Sequence, residues 1–270
     1  MIKKYQFLIA FFITFFPSLL LASVFLSDNF SDSSVDVKKW HYPYWGGYRL
    51  GRTIFKDDGY PETKNGNVII SVESYNPQDD LKSTFYGTSL VSNDHFYSEN
   101  SYVHVKVRAK MSTDTPGIVC GIFMFSFRDE SENLHDEIDF EIVTSEPDAV
   151  MTNVYKNEPL GAGYPEFYVY DSGTITDFHI YEIIWEKNKV SWIVDGNIVR
   201  TETEKAPEIP MELHLNAWAA DSEWTQAYNP YLNPAESLIN NQKIDMIIDY
   251  VEIKTSFNLS PILYLLKMKQ

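Results

Sequence analysis

The chain has 270 residues, with 22 Lys and Arg against 38 Asp and Glu, and a formal net charge of −16. That balance argues against nucleic acid and anionic membrane surfaces as partners, because phosphates would be repelled. A single cysteine, Cys120, excludes an intrachain disulfide, and a chain of this length buries a large core without one.

Lys3 and Lys4 precede an apolar stretch over residues 7–21, closed by the small residues Ala22 and Ser23. This is the layout of a secretory signal peptide cleaved between Ser23 and Val24. An uncleaved anchor is the alternative, since the apolar run approaches the ~20 residues that span a bilayer. Pro17 and the polar pair Ser27-Asp28 favour cleavage. The expectation is a leader over 1–23, one domain over 24–255 and a tail over 256–270. The product would be a monomer, secreted, periplasmic or at the cell surface, with no stable membrane association. Loss of the two leader lysines takes the net charge from −16 to −18.

After the leader comes Trp40-His41-Tyr42-Pro43-Tyr44-Trp45-Gly46-Gly47-Tyr48, a loop crowded with aromatics. Flat rings with polar tips, Trp45 among them, stack well on sugar faces, or else pack over a sheet edge. Short apolar-alternating runs follow at 68–72, 102–109, 119–125, 137–143, 179–185, 190–194, 212–217 and 246–253. Asn65-Gly66, Thr115-Pro116-Gly117, Asn188-Lys189 and Asp195-Gly196 separate them as turns. Period-two strands at this spacing imply an all-β antiparallel β-sandwich or jelly roll.

The run His135-Asp136-Glu137-Ile138-Asp139-Phe140-Glu141-Ile142-Val143 carries the chemistry. Alternation puts the carboxylates of Glu137, Asp139 and Glu141 on one strand face, with the apolar residues on the other. Like charges aligned this way repel, and folding gains nothing from them. The bland reading is a solvated acidic strand face. Cleavage of a glycosidic bond, by contrast, needs two carboxyls flanking it. At ~3.3 Å per residue the backbones of Glu137 and Glu141 lie about 13 Å apart. Side chains leaning inward would bring the carboxyls about 5 Å apart, the separation of retaining rather than inverting glycosidases. Asp139 between them could set their proton affinities apart. His135 shares that face, where it either bonds a carboxylate, lines a cleft or is structural. The six histidines form no zinc pattern, and P-loop, dinucleotide-binding and G-x-S-x-G motifs are absent.

This acidic run resembles the catalytic strand of glycoside hydrolase family 16, in the E-x-D-x-E form of lichenases and xyloglucan endotransglycosylases. The laminarinase and agarase branches usually carry one extra, bulged residue. The resemblance continues in order through Thr152-Asn153-Val154-Tyr155, Phe178-His179-Ile180-Tyr181, Trp192-Ile193-Val194-Asp195-Gly196, Asn216-Ala217-Trp218 and Ile248-Asp249-Tyr250-Val251. It implies a concanavalin-like β-jelly roll with an open concave cleft. It also implies Glu137 as nucleophile, Glu141 as general acid/base and Asp139 as helper. Cleft-lining roles would fall to His135, Asn153, Tyr155, Asn216 and Trp218. Catalysis would need no cofactor, and Asp249 matches a position that often ligates a structural calcium, a capped strand end being the rival reading. The arginine with which lichenases bind glucan is missing from Gly87-Thr88-Ser89-Leu90-Val91-Ser92. The tryptophan many lichenases place two residues before the nucleophile is here His135. The expected activity is endo-acting hydrolysis of a β-glucan-type polysaccharide, with a transglycosylase of the same fold or a catalytically dead lectin-like module as alternatives.

Overall fold

A computed structural model describes residues 20–42, 48–57, 59–98, 102–159 and 161–258, with side chains from 25 to 255. Trp45 and most of the expected leader lie outside the described residues. Among these residues the elements are almost all strands: β1 (Leu20–Asp28), β2 (Trp40–His41), β3 (Arg49–Leu50), β4 (Thr53–Phe55), β5 (Glu62–Lys64), β6 (Asn67–Glu73), β7 (Phe85–Gly87), β8 (Ser89–Ser92), β9 (Tyr102–Met111), β10 (Ile118–Asp129), β11 (Leu134–Val143), β12 (Ala149–Pro159), β13 (Glu166–Val169), β14 (His179–Glu186), β15 (Lys189–Val194), β16 (Asn197–Glu202), β17 (Glu212–Ala219) and β18 (Lys243–Asn258). One 3₁₀ turn, Leu238–Asn240, interrupts them.

The strands form two sheets, as the sandwich reading expects. One has the order β13-β12-β11-β10-β17-β8-β2; the other runs β16-β15-β14-β9-β18-β6-β7-β4-β3, with β1 on β18 and β5 on β6. Each expected strand is present, extended by a few residues at its ends. β9 shows the logic most plainly: Val103, Val105, Val107, Ala109 and Met111 are buried, and the residues between them face outward. Each fully buried aliphatic of this kind contributes about 1.5–3 kcal/mol. Across the interface lie Cys120, Ile122 and Met124 of β10, Ile138, Phe140 and Ile142 of β11, and Leu213, Leu215 and Ala217 of β17. Cys120 is thus a core residue.

Two hairpins turn on Asn-Gly and Asp-Gly pairs. Asn65 and Gly66 have φ of 54° and 72°, and Asp195 and Gly196 have 49° and 86°. Positive φ at both central residues matches the right-handed strand twist, which is why these pairs were readable as turns.

β1 pairs with β18 from Leu20 opposite Asn258 to Asp28 opposite Val251. β18 therefore runs past residue 255, and the segment Leu26 to Asp28 on the mature side of the expected cleavage point contributes to the same ladder. No helix among the described residues is long and apolar enough to cross a membrane.

Candidate active site

β11 carries the acids. Its register against β10 is unbroken from Val119–Val143 to Phe127–His135, and against β12 from Asp136–Lys156 to Glu141–Met151. No residue is inserted between Glu137 and Glu141, so all three acids leave the same face while Ile138, Phe140 and Ile142 are fully buried beneath.

Register sets out that face row by row. Glu137 lies between Tyr155 and Phe125, with Glu212 beyond. Asp139 lies between Asn153 and Phe123, with His214, Val91 and His41 beyond. Glu141 lies between Met151 and Gly121, with Asn216 and Ser89 beyond. The expected residues Asn153, Tyr155 and Asn216 are therefore immediate or next-but-one neighbours of the acids. Asn153 Nδ2–H donates to the Tyr155 hydroxyl at 3.2 Å, and Gly121 N–H donates to Asn216 Oδ1 at 3.2 Å. A Cβ on Gly163 would sit 2.5 Å from Tyr155 Cζ and 2.6 Å from Asn153 Oδ1, so its backbone presses on both side chains as only glycine can.

Burial and mutual repulsion give the three acids different proton affinities. Asp139 is 3% exposed, and burial, then the charges of Glu137 and Glu141, raise its carboxyl well above the usual range. Arg200 opposes that rise from the core side, stacked over Trp192 at 4.7 Å. Trp192 Nε1–H donates to the Asp139 carbonyl at 2.9 Å, fixing the strand from below. Glu141 is pushed up to about 8, by burial first and by the charge of Glu137 second. The Tyr155 hydroxyl is raised by burial and by the three acids.

A raised carboxyl binds its proton more tightly folded than unfolded. The stability Glu141 contributes is present below its ordinary value of 4.5 and is lost as pH rises through about 8. Chemical unfolding at stepped pH is expected to show stability falling across that window, and a smaller fall in Glu141→Gln.

One expectation is corrected. His135 shares the acids' face but is fully buried, tilted against Tyr155 at 4.6 Å and Phe125 at 5.4 Å. With no exposed area it cannot line a cleft. Its Nε2 lies 3.0 Å from Glu137 Oε2, yet neither ring nitrogen has a well-directed hydrogen bond. Trp218, two residues beyond Asn216 on the same face of β17, is 9% exposed and tilted on Trp224 at 5.7 Å in a small cluster with Phe55, Val119 and Val143. Trp40 of the aromatic loop is core, its Nε1–H donating to Asp28 Oδ2 at 2.9 Å. Tyr48 from the same loop stacks on Phe55 at 5.8 Å, near enough to Glu137 for that charge to raise its hydroxyl, after burial.

Asp249 occupies a bulge of β18 on the other sheet, and its Oδ2 accepts from Arg108 Nη1 at 2.5 Å. A calcium ion on this carboxylate would compete with the guanidinium. Among the described residues no group of three or more His, Cys, Asp and Glu is arranged to hold one.

Sequence reasoning missed Phe123, Phe125 and Phe127, whose rings run along β10 with successive centroids 6.4 and 4.8 Å apart. Their period-two spacing was the available signal. It also missed Asp136, read only as part of the motif. Asp136 is fully buried and accepts from Arg128 Nε at 2.6 Å and Nη2 at 2.7 Å. It accepts further from the N–H groups of Asn157 and Glu208, each at 2.8 Å.

Known proteins are similar to this chain in sequence and fold. The family model for Glycosyl hydrolases family 16 matches residues 55–251. A beta-glucanase of Acetivibrio thermocellus is 26% identical over 202 residues, 73% of this chain and 56% of its own. A probable glycosidase, CRR1, of Eremothecium gossypii is 30% identical over 135 residues, 46% of this chain and 29% of its own. The chain thus spans 29% to 56% of the length of these curated relatives. A crystal structure of a beta-1,3-1,4-glucanase (lichenase) from a mouse hindgut metagenome superposes with a TM-score of 0.67 at 25% identity, covering 84% of this chain and 97% of the other. The endo-beta-1,3-glucanase of Pyrococcus furiosus shares the fold, with a TM-score of 0.70 at 18% identity over 90% of this chain and all of its own. With the model match spanning most of the sandwich and both glutamates inside it, the chain belongs to glycosyl hydrolases family 16.

Proposed function

We propose that the protein is an exported, retaining endo-β-glucanase. The observation that carries this reading is the unbroken register of Glu137, Asp139 and Glu141 on one face of β11, where burial and the Glu137 charge push Glu141 up to about 8. Glu137 attacks the anomeric carbon while Glu141 donates its proton to the departing glycosidic oxygen. The resulting glycosyl-enzyme is opened by water, from which Glu141 takes a proton, and two inversions leave the β configuration intact. Asp139, protonated and hydrogen-bonded to Glu137, orients the nucleophile. Asn153 and Tyr155 border the cleavage point, and the Asn216 NH₂ group is turned to ligand by the bond its oxygen accepts from Gly121. The rows around the acids add Glu212 and no lysine or arginine, which suits a neutral glucan and repels sulfated or uronic polymers.

Release of reducing ends from lichenan, laminarin, xyloglucan, carrageenan and agarose tests the reading, with product anomers followed by NMR. Fresh β-anomer from a neutral glucan is expected, and no cleavage of sulfated carrageenan. Initial α-anomer would overturn retention, and glucan binding without reducing ends would favour a binding module. The phenylalanine row on β10 could also seat an acceptor sugar; products longer than the substrate would then identify a transglycosylase.

Turnover requires Glu141 protonated, so activity is expected to fall as pH rises through about 8. Since the Glu137 charge is one cause of that raised value, NMR titration of Glu137→Gln should find Glu141 titrating lower.

A further inference from the structure

Glu212, at the start of β17, shares the row of Glu137 and is separated from it by Phe125 alone. Its Oε1 lies 3.7 Å from His95 Nε2 and its Oε2 lies 3.7 Å from His214 Nε2. Both distances exceed a direct hydrogen bond, so the carboxylate is bracketed by two imidazoles without being consumed by either. Burial opposes its charge, but His214, His95 and His41 outweigh that and hold the carboxyl below its usual range. His214 is 9% exposed, and its Nε2 has no hydrogen-bond partner in the protein. Its ring stacks on Phe123 at 5.0 Å and meets Phe125 edge-on at 5.6 Å.

Val91 stands between His214 and His41 in one row. A buried imidazole aimed at an ionised carboxylate, over two phenylalanine rings, is more than packing requires; an aliphatic side chain at 214 would fill the space without an unpaired nitrogen.

We propose that Glu212, held between His95 and His214, is a sugar-hydroxyl subsite of the glycan cleft, an inference that rests on the β-glucanase reading. Two strand spacings of about 4.8 Å place it ~10 Å from Glu137, across the sheet. The carboxylate accepts from pyranose hydroxyls, the imidazoles supply donors alongside it, and Phe125 provides the apolar platform between. Acceptors and donors together match a neutral sugar. A cationic amino sugar would leave the imidazole donors unused, and an anionic sugar would be repelled. The subsite engages only chains long enough to run from the cleavage point to β17.

The test is a length series of glucan oligosaccharides, with affinities read by calorimetry in the Glu137→Gln background so that ligands stay intact. Glu212→Ala in that background is expected to weaken a long oligosaccharide about tenfold, and one too short to reach β17 less than about twofold. His95→Ala, at a largely exposed side chain, should weaken the long ligand about threefold and tests the same subsite should Glu212→Ala fail to fold. Equal losses for both lengths, or no loss for either, overturn the subsite and leave the catalytic reading standing. Failure of the Glu137→Gln parent to bind glucan of any length overturns both.

Discussion

Replacing Glu137 by glutamine should lower turnover of the cleaved glucan by about 10³-fold or more while leaving the fold as stable as before, or more so. An amide of the same size cannot attack the anomeric carbon, and loss of a covalent nucleophile removes an entire step rather than trimming it. The stability half of the expectation separates chemistry from collapse. Glu137 is one source of the charge that raises both Asp139 and Glu141, so neutralising it relieves repulsion on a crowded face. A thermal midpoint equal to or above wild type, together with lost turnover, is the expected pair of results. Roles can then be assigned by azide rescue of the alanine variants. Azide replacing the nucleophile in Glu137→Ala should give the α-glycosyl azide, whereas Glu141→Ala, with the nucleophile intact, should give the β product. Activity like wild type in Glu137→Gln would end the assignment.

The second large effect is on stability. Asp136→Ala removes a fully buried carboxylate that receives two bonds from Arg128 and two from backbone N–H groups. Breaking one side of such a buried pair costs about 3–5 kcal/mol, because the abandoned donors are left without partners. For a domain of this size that corresponds to a fall of about 6–20 °C in the thermal midpoint. Arg128→Ala should cost less, since the guanidinium is partly solvated and the carboxylate would keep its two backbone donors. Thermal unfolding followed by circular dichroism checks both. A fall of only a degree or two in Asp136→Ala would show that this end of β11 is held by other means.

Strand positions and the shared face of the acids were legible because both depend on a period of two and on turn residues with positive φ. Glu137, Asp139 and Glu141 needed only alternation to be grouped. His135 obeys the same alternation, yet it is covered by Tyr155 and Phe125, which belong to neighbouring strands. Parity assigns a face; it does not tell what lies over it. Asp136 was opaque for a related reason. Its partners come from β10, from Asn157 and from Glu208, and a charged residue whose partners are distant in sequence looks solvated. Glu212 and His214 were likewise silent, because only sheet order brings β17 beside β10. Among the described rings of the aromatic loop, Trp40 lies in the core and Tyr48 is near enough to Glu137 to feel its charge.

Asn157 is the extra residue of a bulge in β12, with a φ of 55°, where the register slips between His135 and Asp136. Its N–H is thereby aimed at the Asp136 carboxylate. A sliding error of one position in β11 would exchange its two faces, sending three carboxyls into the core and Ile138, Phe140 and Ile142 into water. The bulge and the carboxylate it meets act as a locating pin that admits one alignment of this hairpin. On that view Asp136 protects the reaction without touching it: it decides which side of the strand faces the substrate.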